Sequence, residues 1–220
     1  VPIYLDALEG NTDSIYSEAM QILSTWDYQM AASSPAALIS EILWIELSRE
    51  LFQDELGEEH YALLLQNSIL IDNLVNRIRI TGESGWCDNV HTPGVKETFY
   101  DNIESAFQQA VDTLSSLYGP DPKAWQWGDL HQLTLMHPMG SVAMVDRLFK
   151  VNRGPYPIGG SSHTVCPYAY PKGRSFTVNH GASEKHILHT ADWDKSLTVI
   201  PTGTSGVPAS PHYLDQTELY

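Results

Sequence analysis

Apolar side chains in the first half of the chain recur at helical spacing, and Pro, Gly and Ser mark where each run starts and stops. Ile15, Ala19, Ile22, Leu23, Trp26 and Met30 fall on one face of a first helix, with Asp13 or Ser14 placed to cap it. Ser34 followed by Pro35 predicts an N-cap and a proline at the first helical position of a second helix. That helix carries two apolar stripes, one through Leu38, Ile42, Ile45 and Phe52 and the other through Ile39, Leu43, Leu47 and Leu51, so it should be buried on more than one side. Gly57 interrupts the pattern, and a third helix is predicted over 58–80 through Leu63, Leu64, Leu70, Leu74 and Ile78. Gly82, Gly85, Asn89 and Pro93 mark a connecting loop. A fourth helix follows on Val95, Phe99, Ile103, Ala106, Ala110, Leu114 and Leu117, stopped by Gly119 and Pro120.

Beyond Trp125 the helical period gives way to alternation. HQLTLMH (131–137), SFTVNH (175–180), EKHILHT and KSLTVIP each read as a strand, the last two joined around the turn ADWD (191–194). The Pro and Gly content of 138–173 predicts long ordered loops. The fold class is therefore α+β, with a helical segment over 1–120 and a strand and loop segment over 121–220. So few strands leave a face or an edge without partners, so the second segment reads as part of a larger sheet, and both chain ends read as cut.

Charge divides the chain as the hydrophobic pattern does. Residues 1–80 hold 13 acids and 3 bases, 81–150 hold 9 and 4, and 151–220 hold 5 and 5. The net charge of −15 repels phosphate backbones and anionic lipid, which argues against nucleic acid and membrane as partners. No apolar run approaches the roughly 18 residues of a membrane span, and 1–10 has no secretory-signal pattern. Cys87 and Cys166 match no metal-binding or redox spacing and read as unrelated free thiols, with a disulfide as the alternative.

Candidate chemistry is sparse. No G-x-S-x-G pentad exists, and Gly140-Ser141 and Gly160-Ser161 read as turns rather than processing sites. His180, Glu184, His186 and His189 lie close together but fit no zinc motif. His131 reads as a buried histidine bonded to backbone. Arg153, set before Gly154 and Pro155, is placed to tie loop carbonyls or a carboxylate with its planar fork, a structural role preferred over substrate contact. Trp125, Trp127, Tyr156, Tyr168 and Tyr170 either line a ligand pocket or pack a core.

The strings WGDLH (127–131), NRGPYPIGGSSHTV (152–165) and SGVPASPHYLDQ (205–216), in this order, resemble the C-terminal part of the β subunit of the penicillin acylase (penicillin amidase) family of N-terminal nucleophile hydrolases. Trp26, Asp27, Met30, Ser34, Ala36 and Ala37 extend the resemblance into the helical block, so that it covers essentially the whole chain. The resemblance implies an αββα fold, of which this chain would be a partial piece, and cleavage of amide bonds in N-acyl substrates such as penicillins, acyl-homoserine lactones or cyclic lipopeptides. The family's nucleophilic Ser opens its β subunit, where a free α-amine serves as base, and this chain begins with Val1. The oxyanion-hole residues and the calcium ligands of some members also lie outside the region resembled. The resemblance therefore assigns no catalytic, cofactor or metal residue here. It implies a chain silent by itself, whose partner is the remainder of the acylase, namely the α subunit and the earlier part of the β subunit. Unpaired edges would favour self-association. Export to the periplasm or the cell exterior rests on the resemblance alone. A stand-alone binding or scaffold domain is the alternative, and a metallohydrolase using the histidine cluster is a third reading.

Overall fold

The computed structural model describes residues 2–8, 14–82, 84–172 and 175–220. Among them are seven α-helices and four short strands, paired into two antiparallel two-stranded sheets. Helix α1 (Pro2–Ala7) precedes α2 (Ser14–Ser24). The Asp13 cap falls outside the described residues. Helix α2 is shorter than its apolar pattern predicts, because Trp26 and Met30 lie beyond its end. The hydroxyls of Ser24 and Thr25 donate to the Gln21 carbonyl, Asp27 accepts from the Gln29 amide, and the Trp26 indole donates to the Gln29 carbonyl, 3.0 Å away. These local bonds offer the backbone an alternative to the helix. The released segment then pairs with later parts of the chain.

Helix α3 (Pro35–Leu64) begins on Ser34, whose hydroxyl accepts from the Ala37 amide at 3.2 Å. Both predicted stripes are buried, Leu38, Ile42, Ile45 and Phe52 together with Ile39, Leu43, Leu47 and Leu51. Each such side chain contributes about 1.5–3 kcal/mol of gross hydrophobic stabilisation. Gly57 kinks the helix with φ 67°, a left-handed conformation costly for any residue with a Cβ. The predicted third helix is in fact divided. Helix α3 runs through the kink to Leu64, and α4 (Ser68–Thr81) restarts on Asn67, whose side chain caps Leu70. The restart shifts the inward face, so Ile71 and Ile78 are buried while Leu63 and Leu70 are exposed. Helix α5 (Phe99–Tyr118) starts later than Val95, because Thr98 and Asp101 form a reciprocal capping box. Its face of Phe99, Ile103, Ala106, Phe107, Ala110, Val111 and Leu114 is buried, and α3 and α5 share one core.

Two elements lie where loops were predicted, the strand β2 (Arg153–Pro157) and the helix α7 (Ala143–Phe149), and the WGDLH string opens with a helical turn, α6 (Trp127–Leu130). Strand β1 (Gln132–Leu135) pairs antiparallel with β2 in the register Leu133 opposite Tyr156. Pro155 and Pro157 hid this strand from the sequence; proline is tolerated on an edge, where its missing N–H is not required. The predicted strand at 175–180 forms no ladder. It contributes a parallel bridge from Val178 to Leu133 and an antiparallel one from His180 to Ala169. Strands β3 (Lys185–Ile187) and β4 (Leu197–Val199) form the predicted hairpin around the 3₁₀ turn Trp193–Lys195.

Lys172 joins the later segment to α3. Its ammonium lies 3.7 Å from the centre of the Trp44 ring and 3.7 Å from the Glu41 carboxylate, which also accepts from the Tyr170 hydroxyl. Burial, with Glu41 adding to it, holds the Tyr170 hydroxyl well above its usual pKa, so it stays a donor.

The loop after α4 is fastened to α3 by one carboxylate and to itself by another. Asp54 accepts from the Val90 amide at 2.8 Å, and Glu97 accepts from the Asn89 amide and the Thr92 hydroxyl. Although Glu55 is exposed, partial desolvation pushes its carboxyl up to about 7, helped by its hydrogen bond to Asp54 and the charges of Asp54 and Asp88. Because this folded-state value is above the unfolded one, the native state binds the extra proton between roughly pH 4.5 and 7. Stability from this group is full at the acid end of that window and is lost as pH rises through it. Glu55→Gln is therefore expected to raise the thermal midpoint at pH 8 and to leave it nearly unchanged at pH 5. An equal shift at both values, measured by circular dichroism, would contradict the assignment.

Candidate functional site

Residues of two of the three loop strings, those over 127–131 and 152–165, converge at one buried junction. Trp127 and His131 are both fully buried and stack with ring centres 4.5 Å apart. The Trp127 indole N–H donates to the Gly160 carbonyl at 2.9 Å. The His131 ring nitrogens lie against two carbonyl oxygens, Nδ1 at 2.9 Å from Ile158 and Nε2 at 3.0 Å from Tyr168. The backbone repeats the pattern, with Gly128 N–H donating to the Ala32 carbonyl and Gly160 N–H to the Met30 carbonyl, each at 2.7 Å. The segment released from the end of α2 is thus clamped between α6 and the Gly159-Gly160 turn. Gly160 sits at φ 78°, and a Cβ there would lie 2.2 Å from the Cys166 carbonyl oxygen. The sequence reading of His131 as a backbone-bonded histidine matches this geometry.

A second knot lies beside the first. Asn152 accepts from the His137 amide at 2.9 Å and donates to the Gly140 carbonyl at 3.1 Å. The Tyr213 hydroxyl donates to the Val151 carbonyl. Arg153 donates to the Asn152 carbonyl at 3.0 Å and lies 5.9 Å from the centre of the Tyr213 ring. Arg153 therefore braces the 205–216 string against β2 through Tyr213, and it meets no carboxylate among the described residues.

Between these knots and the C-terminal residues opens an apolar cleft of about 610 Å³. Leu133, Leu135, Tyr156, Ile158, Tyr168 and Leu214 line it. Of the five aromatics singled out in the sequence, Tyr156 and Tyr168 face this cleft, whereas Trp125, Trp127 and Tyr170 belong to the core. Lys185, which the sequence did not single out, lies at the cleft wall, where its ammonium donates to the Tyr168 hydroxyl and the Tyr220 carbonyl oxygen. Burial, together with Tyr168, pushes the Tyr220 hydroxyl up to about 12. Cys166 lines the same cleft, distant in role from Cys87, which is buried under α5 with its thiol pushed up by burial. Both cysteines are free thiols.

Two pairs of a histidine and an acid lie near serine hydroxyls among the described residues. Ser68 and Asp72 both approach His163, at 3.4 and 3.5 Å, yet they share the same nitrogen, Nε2. A relay requires the acid on the opposite ring nitrogen from the nucleophile. His212 and Asp215 form a 2.8 Å pair in the proper base-and-orienter sense, but the nearby Ser205 and Ser210 hydroxyls accept from backbone amides instead. Glu184 lies 3.9 Å from His186 and accepts from Thr198, and among the described residues no three His, Cys, Asp or Glu side chains are grouped to hold a metal ion. The helices among the described residues include none long and apolar enough to cross a membrane.

Comparison with known proteins matches residues 2–220 to the family model described as penicillin amidase. The chain is 29% identical over 224 residues to an acyl-homoserine lactone acylase QuiP of Pseudomonas syringae pv. syringae, a match covering 97% of this chain and 26% of that protein. The corresponding QuiP of Pseudomonas aeruginosa is also 29% identical, over 98% of this chain and 27% of its own length. A penicillin acylase 2 proenzyme of a Pseudomonas species is 35% identical over 92 residues, 41% of this chain and 12% of the proenzyme. The chain thus spans about a quarter of the length of the full-coverage relatives.

The junction yields a stability prediction. His131→Ala removes a buried hydrogen bond to a carbonyl and opens a cavity under Trp127, a loss expected to be about 3–5 kcal/mol. Gly160→Ala should also destabilise strongly, while Gly206→Ala, at an open position, should be nearly neutral. Denaturant unfolding of the three variants checks this ranking. Equal midpoints for Gly160→Ala and Gly206→Ala would refute it.

Proposed function

The chain belongs to the penicillin amidase family, and on that premise we propose that it is a structural part of an acylase that hydrolyses carbon–nitrogen amide bonds in N-acyl substrates. Acyl-homoserine lactones and penicillins are the substrate classes named for its relatives. The observation that carries the reading is the joint one: the family match runs from residue 2 to 220, and the strings that carry the resemblance are built into packing knots rather than into a reacting centre. His131 is held by carbonyls on both ring nitrogens, and Arg153 braces a loop. These are the duties of a scaffold behind an active site.

Within the intact enzyme the segment over 1–120 would be a helical excursion and that over 121–220 a contribution to the core sheets, both within one larger domain. The nucleophile and the oxyanion donors would come from the rest of the acylase. Each is worth orders of magnitude in rate, so the 220 residues alone should show no turnover. Exposed Met136, Met139, Met144, Leu148 and Phe149 lie close together in sequence around α7, and β2 is an open edge. The apolar cluster is a surface that the remainder of the enzyme would cover.

The test is hydrolysis of a chromogenic phenylacetyl amide and of a long-chain acyl amide, by the chain alone and after mixing with the remaining parts of the acylase. Silence alone and turnover on mixing are expected. Turnover by the isolated chain, abolished by no change outside it, would contradict the proposal. Light scattering gives a second check: the isolated chain should self-associate with rising concentration, and a monodisperse monomer would count against the covered surface.

A further inference from the structure

A second cleft, of about 520 Å³, lies on the outer side of β2 and is walled by Arg147, Lys150, Arg153, Asp146, Pro155 and Tyr156. In a chain with 27 acidic and 12 basic residues, three cations on one cleft are out of keeping with the rest of the surface. Among the described residues, Arg49, Lys123, Lys172 and Lys195 are each paired with a carboxylate, whereas Arg77, Arg79, Lys96 and Lys185 are not. Arg147, Lys150 and Arg153 have no carboxylate within ion-pair distance, although Asp146 stands beside them. The reason is visible in the backbone: Asp146 is turned inward, where its carboxylate accepts from the Asn152 amide at 2.8 Å.

The charges do not cancel locally. The C-terminus of α7 supplies about half a negative charge at most, and Asp146 one, against three positive groups. The cleft is shallow and open to solvent, but its walls are held in place. Lys150 ends α7 in the left-handed conformation, with its N–H donating to the Asp146 carbonyl. Asn152 pins the next turn to His137 and Gly140, and Arg153 is steadied by the Asn152 carbonyl and the Tyr213 ring. A guanidinium has five N–H donors in a rigid fork, and the one internal hydrogen bond of Arg153 leaves most of them unspent.

We infer that this cleft is a binding site for a small organic oxyanion, a carboxylate or a phosphate, gripped by Arg147, Lys150 and Arg153 with its organic part against Pro155 and Tyr156. The site shares Tyr156 with the apolar cleft on the other side of β2 and does not depend on the acylase reading. Two oxyanion chemistries fit the fork equally well, because carboxylate and phosphate both accept it bidentately.

The test is a titration of the 220-residue chain with inorganic phosphate and, separately, with benzoate, followed by backbone amide NMR shifts at constant ionic strength in chloride. Saturable shifts centred on 146–156 are expected from at least one anion. The Arg147→Ala, Lys150→Ala double variant, altered only at exposed side chains, should bind at least tenfold more weakly with its spectrum otherwise unchanged. Tighter phosphate binding would identify a phosphate ligand, and tighter benzoate binding an aromatic or similarly flat carboxylate. Shifts that fail to saturate with either anion, that centre elsewhere, or that persist with unchanged affinity in the double variant would overturn the inference.

Discussion

The stacked pair of Trp127 and His131, packed with its ring nitrogens against three backbone carbonyls, is the constraint on which the rest of the structure depends. Those carbonyls belong to Gly160, Ile158 and Tyr168, and the neighbouring amides of Gly128 and Gly160 reach back to Ala32 and Met30. Four stretches distant in sequence thus meet in one dry place. Polar groups buried there are costly if unpaired, so each stretch is held in a single arrangement. The two strings that supply the rings and the turn are conspicuous in sequence because few other residues could occupy these positions. The third string joins the structure one step further out, through Tyr213 and Arg153.

From this junction the helical block and the strand segment acquire a common core. Trp125, Trp127 and Tyr170 pack in the same cluster as the apolar faces of α3 and α5. Lys172 adds an electrostatic tie, sandwiched between Trp44 and Glu41. The acidic helical block and the neutral later segment therefore meet across a contact in which a cation from the neutral side enters the acidic one. A desolvated cation over an indole face is worth more than the same contact in water. Under the proposed function, this chain holds cleft walls of the acylase. The apolar cleft between Tyr156, Tyr168 and Leu214 is shaped by the very loops that the junction fixes.

The helices were readable in the sequence where the period and the caps agreed, as for Ser34-Pro35 and the stripes of α3. They were misread where a local polar competitor won. Asn67 restarts a helix in the middle of an apolar run, and Asp27 with Ser24 and Thr25 ends α2 before Trp26. No periodicity reports such competition, although Asn67 before Ser68 is itself a cap signal. Strand β2 was hidden by its prolines, and the 175–180 strand was overread because alternation of Phe176 and Val178 records burial on one face and not ladder formation. At the site, the burial of His131 and a bracing Arg153 were legible from residue type and setting. Lys185 and the basic cleft were not, since they depend on which loops meet in space.

The most direct test of the account is native-state hydrogen exchange of the Trp127 indole N–H and the amides of Gly128 and Gly160, set against the core amides of α3 and α5. If the junction makes the two blocks one cooperative unit, these protons exchange only with global unfolding and share the opening free energy of the helical core. Exchange of the junction protons at a markedly lower free energy, with α3 and α5 still protected, would mean that the strand segment opens by itself and that the junction is not what holds the fold together.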